Sequence, residues 1–349
     1  MTLGMICRAD DGGLGSQTWE AFRHLHPAKT LVVHTAHKAR GRAHEDRYPS
    51  SPQCAVRFTH EGPSARDVDW LIDGPTVLFS VETFYAGRLL NAATEKQIRT
   101  VLLANPEMHD RRLAADEVFV PTRWRADLVP DAQLLPAPVD RVRLPFRARN
   151  EARTLYHVAS PAFHDRNGTD LVVAAAAKMN EPCRLLIRGG GRRPGRGERI
   201  GRVEVTWLGH HDGAYHEAWP ADVDLLVLPR RFGGLSLPMQ EAASLGIPIV
   251  TLDVAPQDEW LPPSARVAAT VDRTVPVKGG TIDIWTCAPA ALAERLDHFV
   301  RSPDLVAEHS TLASQWADSL SWDRLRPRYE ELLGVRVDHR PLPAGDPRT

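Results

Sequence analysis

VDLLVLPRRFGGLSLPMQEAASLGIPIVTLD, residues 223–253, spells out a strand, a loop, a helix and a second strand. VDLLVLP (223–229) is a continuous apolar run closed by proline, the pattern of a strand covered on both faces of a parallel sheet. In the loop that follows, Gly233 and Gly234 let the backbone come close to a ligand, and Leu235 leads on toward the helix. Ser236 is placed to cap that helix, Pro238 falls in its first turn, and Gly246 and Pro248 end it before IPIVTLD (247–253).

Ligands of open α/β sheets bind beyond the carboxyl ends of the strands, where loop amides and helix N-termini attract phosphate. Arg230 and Arg231 add positive charge to such a loop. Helical side chains tilt toward the N-terminus, so Glu241, one turn in, aims its carboxylate back at the loop. Two adjacent ribose hydroxyls suit a carboxylate there; the plainer alternative is a glutamate that caps the helix or meets solvent.

The same alternation recurs along the chain. Apolar runs at 30–35, 76–80, 100–104 and 117–120, then at 154–160, 184–189, 203–209, 223–229 and 247–253, are separated by helical segments such as 16–25, 168–179 and 237–245. Two sets of β-α-β units imply two doubly wound parallel sheets, and 349 residues suit two domains. The expected division is 1–140 and 141–320, then a helical segment, 321–335, packing across the domains, and a disordered tail, 336–349. Proline and arginine crowd LLPAPVDRVRLPFRARNEA (134–152), which places the linker near 138–152. Pro327 is expected to kink or break the helix of 321–333.

Composition narrows the function. A net charge of -1 argues against a globally basic nucleic-acid binder. Four separated cysteines offer neither a zinc motif nor a disulfide framework. No apolar run reaches the roughly 20 residues that span a bilayer, and no signal-peptide pattern opens the sequence. The expectation is a cytoplasmic protein with no integral membrane contact and no metal.

PRRFGGLSLPMQEAASLGIPIV (229–250) resembles the C-terminal signature of retaining glycosyltransferases of family 4, the glycosyl transferases group 1, whose fold is GT-B: two Rossmann-like domains facing a central cleft. Pro229, Leu237, Glu241, Ala242, Gly246 and Pro248 stand in register with it. The resemblance implies that Glu241 binds the donor's ribose, and that Arg230, Arg231, Gly233, Gly234 and Leu235 lie at the donor. The family's first glutamate falls on Gly233, so the carboxylate that commonly meets the donor sugar is absent.

Further motifs match in order. DDGGLGSQTWEAFRHL (10–25) resembles the N-terminal glycine-rich loop, with Gly12, Gly13 and Gly15 passing close to phosphate or acceptor. ASPAFHDRNGTDLVVAAA (159–176) resembles the segment whose arginine and lysine grip the diphosphate. Here the lysine position holds Asn167 and the arginine position falls near Ala162, leaving Arg166 as the nearest cation. VTWLGHHD (205–212) stands where the family approaches the nucleobase, which makes His210 a candidate for the base pocket, with His211 as its alternate. Glu82 and Glu107 follow strands on the cleft side and are candidates to orient or deprotonate an acceptor hydroxyl. Asn105 and His109 share the second of these loops.

The resemblance thus implies metal-independent transfer of a sugar from a nucleotide diphosphate sugar, the co-substrate, to a hydroxyl, with anomeric configuration retained. No cofactor is implied. Arginine-rich stretches at 38–47 and 188–202, with Arg111, Arg112, Arg123 and Arg125, make DNA with hydroxymethylated bases one candidate acceptor. A non-catalytic nucleotide-sugar-binding module and a GT-B sugar epimerase are the rival readings.

Overall fold

In the computed structural model, the described residues are 1–10, 12–34, 44–60, 62–109, 115–141, 145–159, 163–189, 195, 197–209, 219–277 and 280–336. They fall into two compact units. One holds Met1–Pro138 and the chain from Trp322 onward; the other lies within 139–321.

In the first unit the chain runs β1 (Leu3–Arg8), α1 (Gly13–Leu25), β2 (Lys29–His34), β3 (Ala55–His60), α2 (Ala65–Leu71), β4 (Val77–Val81), α3 (Gly87–Glu95), β5 (Arg99–Leu103), β6 (Glu117–Val120) and β7 (Gln133–Leu134). Its seven described strands are ordered β3-β2-β1-β4-β5-β6-β7, all parallel. The central strands are buried on both faces, as their apolar runs require.

The second unit contains β8 (Thr154–Val158), α4 (Thr169–Ala176), β9 (Cys183–Arg188), β10 (Gly197–Ile200), β11 (Val203–Leu208), β12 (Leu225–Val227), α5 (Leu237–Ser244), β13 (Ile249–Leu252), α6 (Gln257–Trp260), β14 (Arg266–Val267), β15 (Thr270–Val277), β16 (Gly280–Thr286), α7 (Pro289–Arg301) and α8 (Pro303–Ser319). Its main sheet is ordered β10-β11-β9-β8-β12-β13-β14; among its described strands only β10 runs antiparallel. The last helix, α9 (Trp322–Leu333), returns to the first unit.

Both sheets reverse their winding at one place. β8 connects through α4 toward β9 on one side, whereas β12 connects through α5 toward β13 on the other, so β8 and β12 flank a switch point. β1 and β4 do the same in the first unit. Crevices for ligands form at such points, because neighbouring loops turn away from each other.

Three features differ from what the residues alone suggest. α9 is not broken at Pro327, because the helix is held at both ends: Trp322 stacks on His24, and Tyr329 meets Phe79 and donates its hydroxyl to the Pro136 carbonyl. Residues 147–149 of the proline-rich connection are fastened to the second unit. The Arg147 amide donates to Leu245, and Arg149, its guanidinium pushed down to about 10 by burial, reaches the Val223 carbonyl. Finally, β15 and β16 form an antiparallel hairpin, unrecognised in sequence because charged and polar residues interrupt TVDRTVPV and the strand is largely exposed.

One buried carboxylate ties α7 to the end of α4. Asp297 accepts from the amides of Asn180 and Glu181 and from the Asn180 side chain at 2.9–3.2 Å. Asp297→Ala strands those donors and should cost about 1–3 kcal/mol. The expected result is a lower urea midpoint at unchanged m-value.

Candidate functional site

The two loops at the β8/β12 switch point are clasped together. Gly168 adopts a left-handed backbone (φ 71°), and a Cβ there would stand 2.7 Å from the Pro229 carbonyl oxygen; only glycine tolerates both conditions. The Arg231 amide donates to the Arg166 carbonyl at 2.8 Å. Asn167, buried, donates to the Val158 carbonyl at 2.8 Å and accepts from Arg230 at 3.4 Å. At the lysine position of the resembled motif, the amide of Asn167 therefore braces the loops.

His157 braces them from below. Its Nδ1 donates to the Val227 carbonyl at 2.8 Å, which leaves Nε2 to accept from the Thr169 hydroxyl at 2.9 Å. Thr169 opens α4, whose first amides are also bound by Asp165. The imidazole thus links β8, β12 and the start of α4.

The candidate cations of this region have different surroundings. Arg230 is 5% exposed and donates to the Leu235 carbonyl at 2.6 Å, turning inward beneath its own loop. Gly233 has φ 109°, and a Cβ on it would meet the Arg230 guanidinium at 2.6 Å. The space that a glutamate at 233 would need is therefore filled by Arg230. Arg231 turns to the hairpin, donating to the Trp285 carbonyl and pairing with Asp272, each at 2.8 Å. Arg166 lies over the ring of buried Phe232, 4.8 Å from its centroid.

Gly234 is buried and Leu235 half-buried ahead of α5. Ser236 takes the N-cap position, but its side chain makes no capping bond, and its buried Oγ has no hydrogen-bond partner among the described residues. Pro238 sits in the first turn as expected. Glu241 follows on the buried side of α5, and its Oε2 accepts from the Trp219 indole at 3.0 Å. Trp219 in turn packs on Tyr156, a contact with no signal in the sequence reading. His210 and Ala162 lie outside the described residues, as do His211, Arg111, Arg112 and much of the two arginine-rich stretches.

A second cluster lies at the switch point of the first unit. Asp10 pairs with buried Arg8 and accepts from the Gly12 amide at 2.8 Å. α1 begins at Gly13, and at Gly15 a Cβ would collide with the Asp10 carbonyl oxygen at 1.8 Å. Here the glycines shape the turn over the helix start. Glu82, in a left-handed conformation (φ 69°), accepts from the Asn105 amide at 3.1 Å. Tyr85, also left-handed at φ 62°, has its hydroxyl pushed well above the ordinary range by burial, with Arg8 opposing and Glu82 and Asp10 reinforcing. Glu107 and His109 are buried nearby in sequence. Arg8, Asp10 and Tyr85 were missed in sequence because no spacing links Arg8 and Asp10, at and just beyond the end of β1, to Tyr85, in the loop after β4.

Among the described residues no cluster of His, Cys, Asp and Glu is suited to a metal ion, and no helix is long and apolar enough to cross a membrane.

Residues 152–273 match the family described as glycosyl transferases group 1. In fold, the chain is similar to sucrose-phosphate synthase from Thermosynechococcus elongatus, with TM-score 0.65 and 15% identity over 95% of this chain and 98% of the other. It is also similar to HepE from Anabaena in complex with UDP and glucose, with TM-score 0.63 and 10% identity over 96% and 99%. A third likeness is the lipopolysaccharide outer core galactosyltransferase WaaB, with TM-score 0.57 and 14% identity over 96% and 99%. These likenesses establish the GT-B fold: two α/β sheets of Rossmann type. No curated protein matches the sequence.

The buried His157 carries a pH dependence. Burial pulls its imidazole down to about 4 from an ordinary 6.5. Between those values the unfolded chain binds the proton and the folded chain does not. The stability present above pH 6.5 is therefore lost progressively as pH falls through that window toward 4. An NMR titration should find His157 neutral at about pH 5; an imidazolium signal there contradicts the assignment.

Proposed function

We propose, for a chain whose residues 152–273 match the family described as glycosyl transferases group 1, that it moves a sugar from a nucleotide diphosphate sugar to an acceptor hydroxyl. The observation carrying this reading is the clasped pair of glycine loops at the β8/β12 switch point, which ends in the unsatisfied Ser236 hydroxyl and the start of α5.

A helix N-terminus, loop amides and a buried hydroxyl supply donors where negative charge develops on a departing diphosphate. Arg166, held over Phe232, is the cation assigned to that diphosphate. The inward turn of Arg230 and the ion pair of Arg231 make these two arginines supports of the loop. Glu241 accepts the adjacent hydroxyls of the ribose. The glycosidic C–O bond to the diphosphate breaks as the acceptor oxygen bonds to the anomeric carbon on the same face. The acceptor proton passes to a departing phosphate oxygen, so configuration is retained without a covalent nucleophile or a metal. In the first unit, Glu82, with Asn105 bound to it, is the carboxylate assigned to the acceptor hydroxyl.

Calorimetry with UDP, GDP and ADP tests the donor assignments. At least one should bind, and Glu241→Ala should weaken it roughly tenfold or more, the worth of one hydrogen bond to a charged group. Arg166→Ala should weaken the diphosphate and leave the bare nucleoside unchanged. Equal affinity in wild type and Glu241→Ala contradicts the ribose contact. Slow hydrolysis of the matching nucleotide sugar separates an enzyme from a binding module, and acceptor-free product analysis separates a transferase from an epimerase.

A further inference from the structure

Glu241 belongs to a connected set of side chains. The indole Nε1 of Trp219 donates to its Oε2 at 3.0 Å. The Trp219 ring leans on Tyr156, with centroids 5.1 Å apart and planes at 58°. Tyr156 is buried in β8 and accepts from Arg188 Nε at 2.7 Å. Arg188, at the end of β9, also donates to the Gly209 carbonyl at 3.3 Å. Burial raises the Tyr156 hydroxyl to about 12, with Arg188 opposing and Glu241 adding to the rise. Glu241 is thus electrostatically coupled to the same group on which Trp219 rests.

A glutamate side chain has several rotatable bonds and loses rotamer freedom when it is fixed. Indole is rigid, and this ring is wedged against a buried tyrosine that is itself tied to β9. A hydrogen bond from that support to a carboxylate is charge-assisted and directional. The indole N–H can only donate, so the oxygen it meets must accept.

We propose that Trp219 is a positioning residue: its N–H holds the Glu241 carboxylate in the orientation that receives the two ribose hydroxyls. The inference rests on the nucleotide-sugar reading of the same site. It makes discrimination between ribose and 2′-deoxyribose a property of the Trp219–Glu241 pair, with the diphosphate donors unaffected.

The test uses whichever of UDP, GDP and ADP wild type binds tightest, together with its 2′-deoxy counterpart. Wild type should prefer the ribonucleotide roughly tenfold. Trp219→Phe keeps an aromatic ring on Tyr156 and removes the N–H. It should bring the preference to within about twofold of unity, the deoxynucleotide affinity staying at the wild-type value. If Trp219→Phe keeps the wild-type preference while Glu241→Ala loses it, Trp219 is a packing residue and the inference is overturned with the ribose contact intact. If wild type binds none of the three, or Glu241→Ala keeps the preference, the donor-site reading itself falls. Should Trp219→Phe fold poorly, the wild-type indole N–H resonance serves instead. It should move in Glu241→Gln and keep its hydrogen-bonded position when nucleotide saturates the protein. Loss of that position on saturation overturns the proposal.

Discussion

Everything assigned to the second unit depends on how closely two loops approach each other. Gly168 lies against the Pro229 carbonyl, and the Arg231 amide reaches the Arg166 carbonyl. These contacts fix the ends of neighbouring strands whose helices leave in opposite directions. A side chain at 168 would push the loops apart and disturb the start of both α4 and α5. The bracing groups below, His157 and Asn167, are buried and satisfied by β8, β12 and α4, so the loops rest on a rigid base, which is where a binding site gains its precision.

The inward turn of Arg230 explains the departure at 233. With its guanidinium under the loop and Gly233 at positive φ, the backbone there has neither the conformation nor the space for a glutamate. A buried arginine shapes the loop from within, and a glycine permits it. Arg231 is committed similarly to Asp272 and the β15–β16 hairpin, which couples the loop to an element that the sequence hides.

The fold was legible in the order of apolar runs, because strands buried on both faces cannot alternate in polarity and so stand out as blocks such as VDLLVLP. The Gly246 turn was legible for a related reason: positive φ selects glycine. What stayed hidden depended on long-range packing. Continuity of α9 through Pro327 comes from the contacts of Trp322 and Tyr329 with the first unit. The partners of Arg230 and Arg231 were hidden because a loop arginine looks the same in sequence whether it turns outward to a ligand or inward to a carbonyl. Trp219, Tyr156 and Arg188 are brought together from 156 to 219 only by sheet order, as are Arg8, Glu82 and Tyr85 in the first unit.

The central claim is that the start of α5 and the loop before it receive a diphosphate while Glu241 receives the attached ribose. A crystal structure of the protein with a nucleoside diphosphate tests this most directly. The account predicts a Glu241 carboxylate oxygen within hydrogen-bond distance, roughly 2.6–3.0 Å, of a ribose hydroxyl, and phosphate oxygens on the 231–236 amides and the Ser236 hydroxyl. A nucleotide bound away from α5, or one whose ribose turns from Glu241, would contradict it.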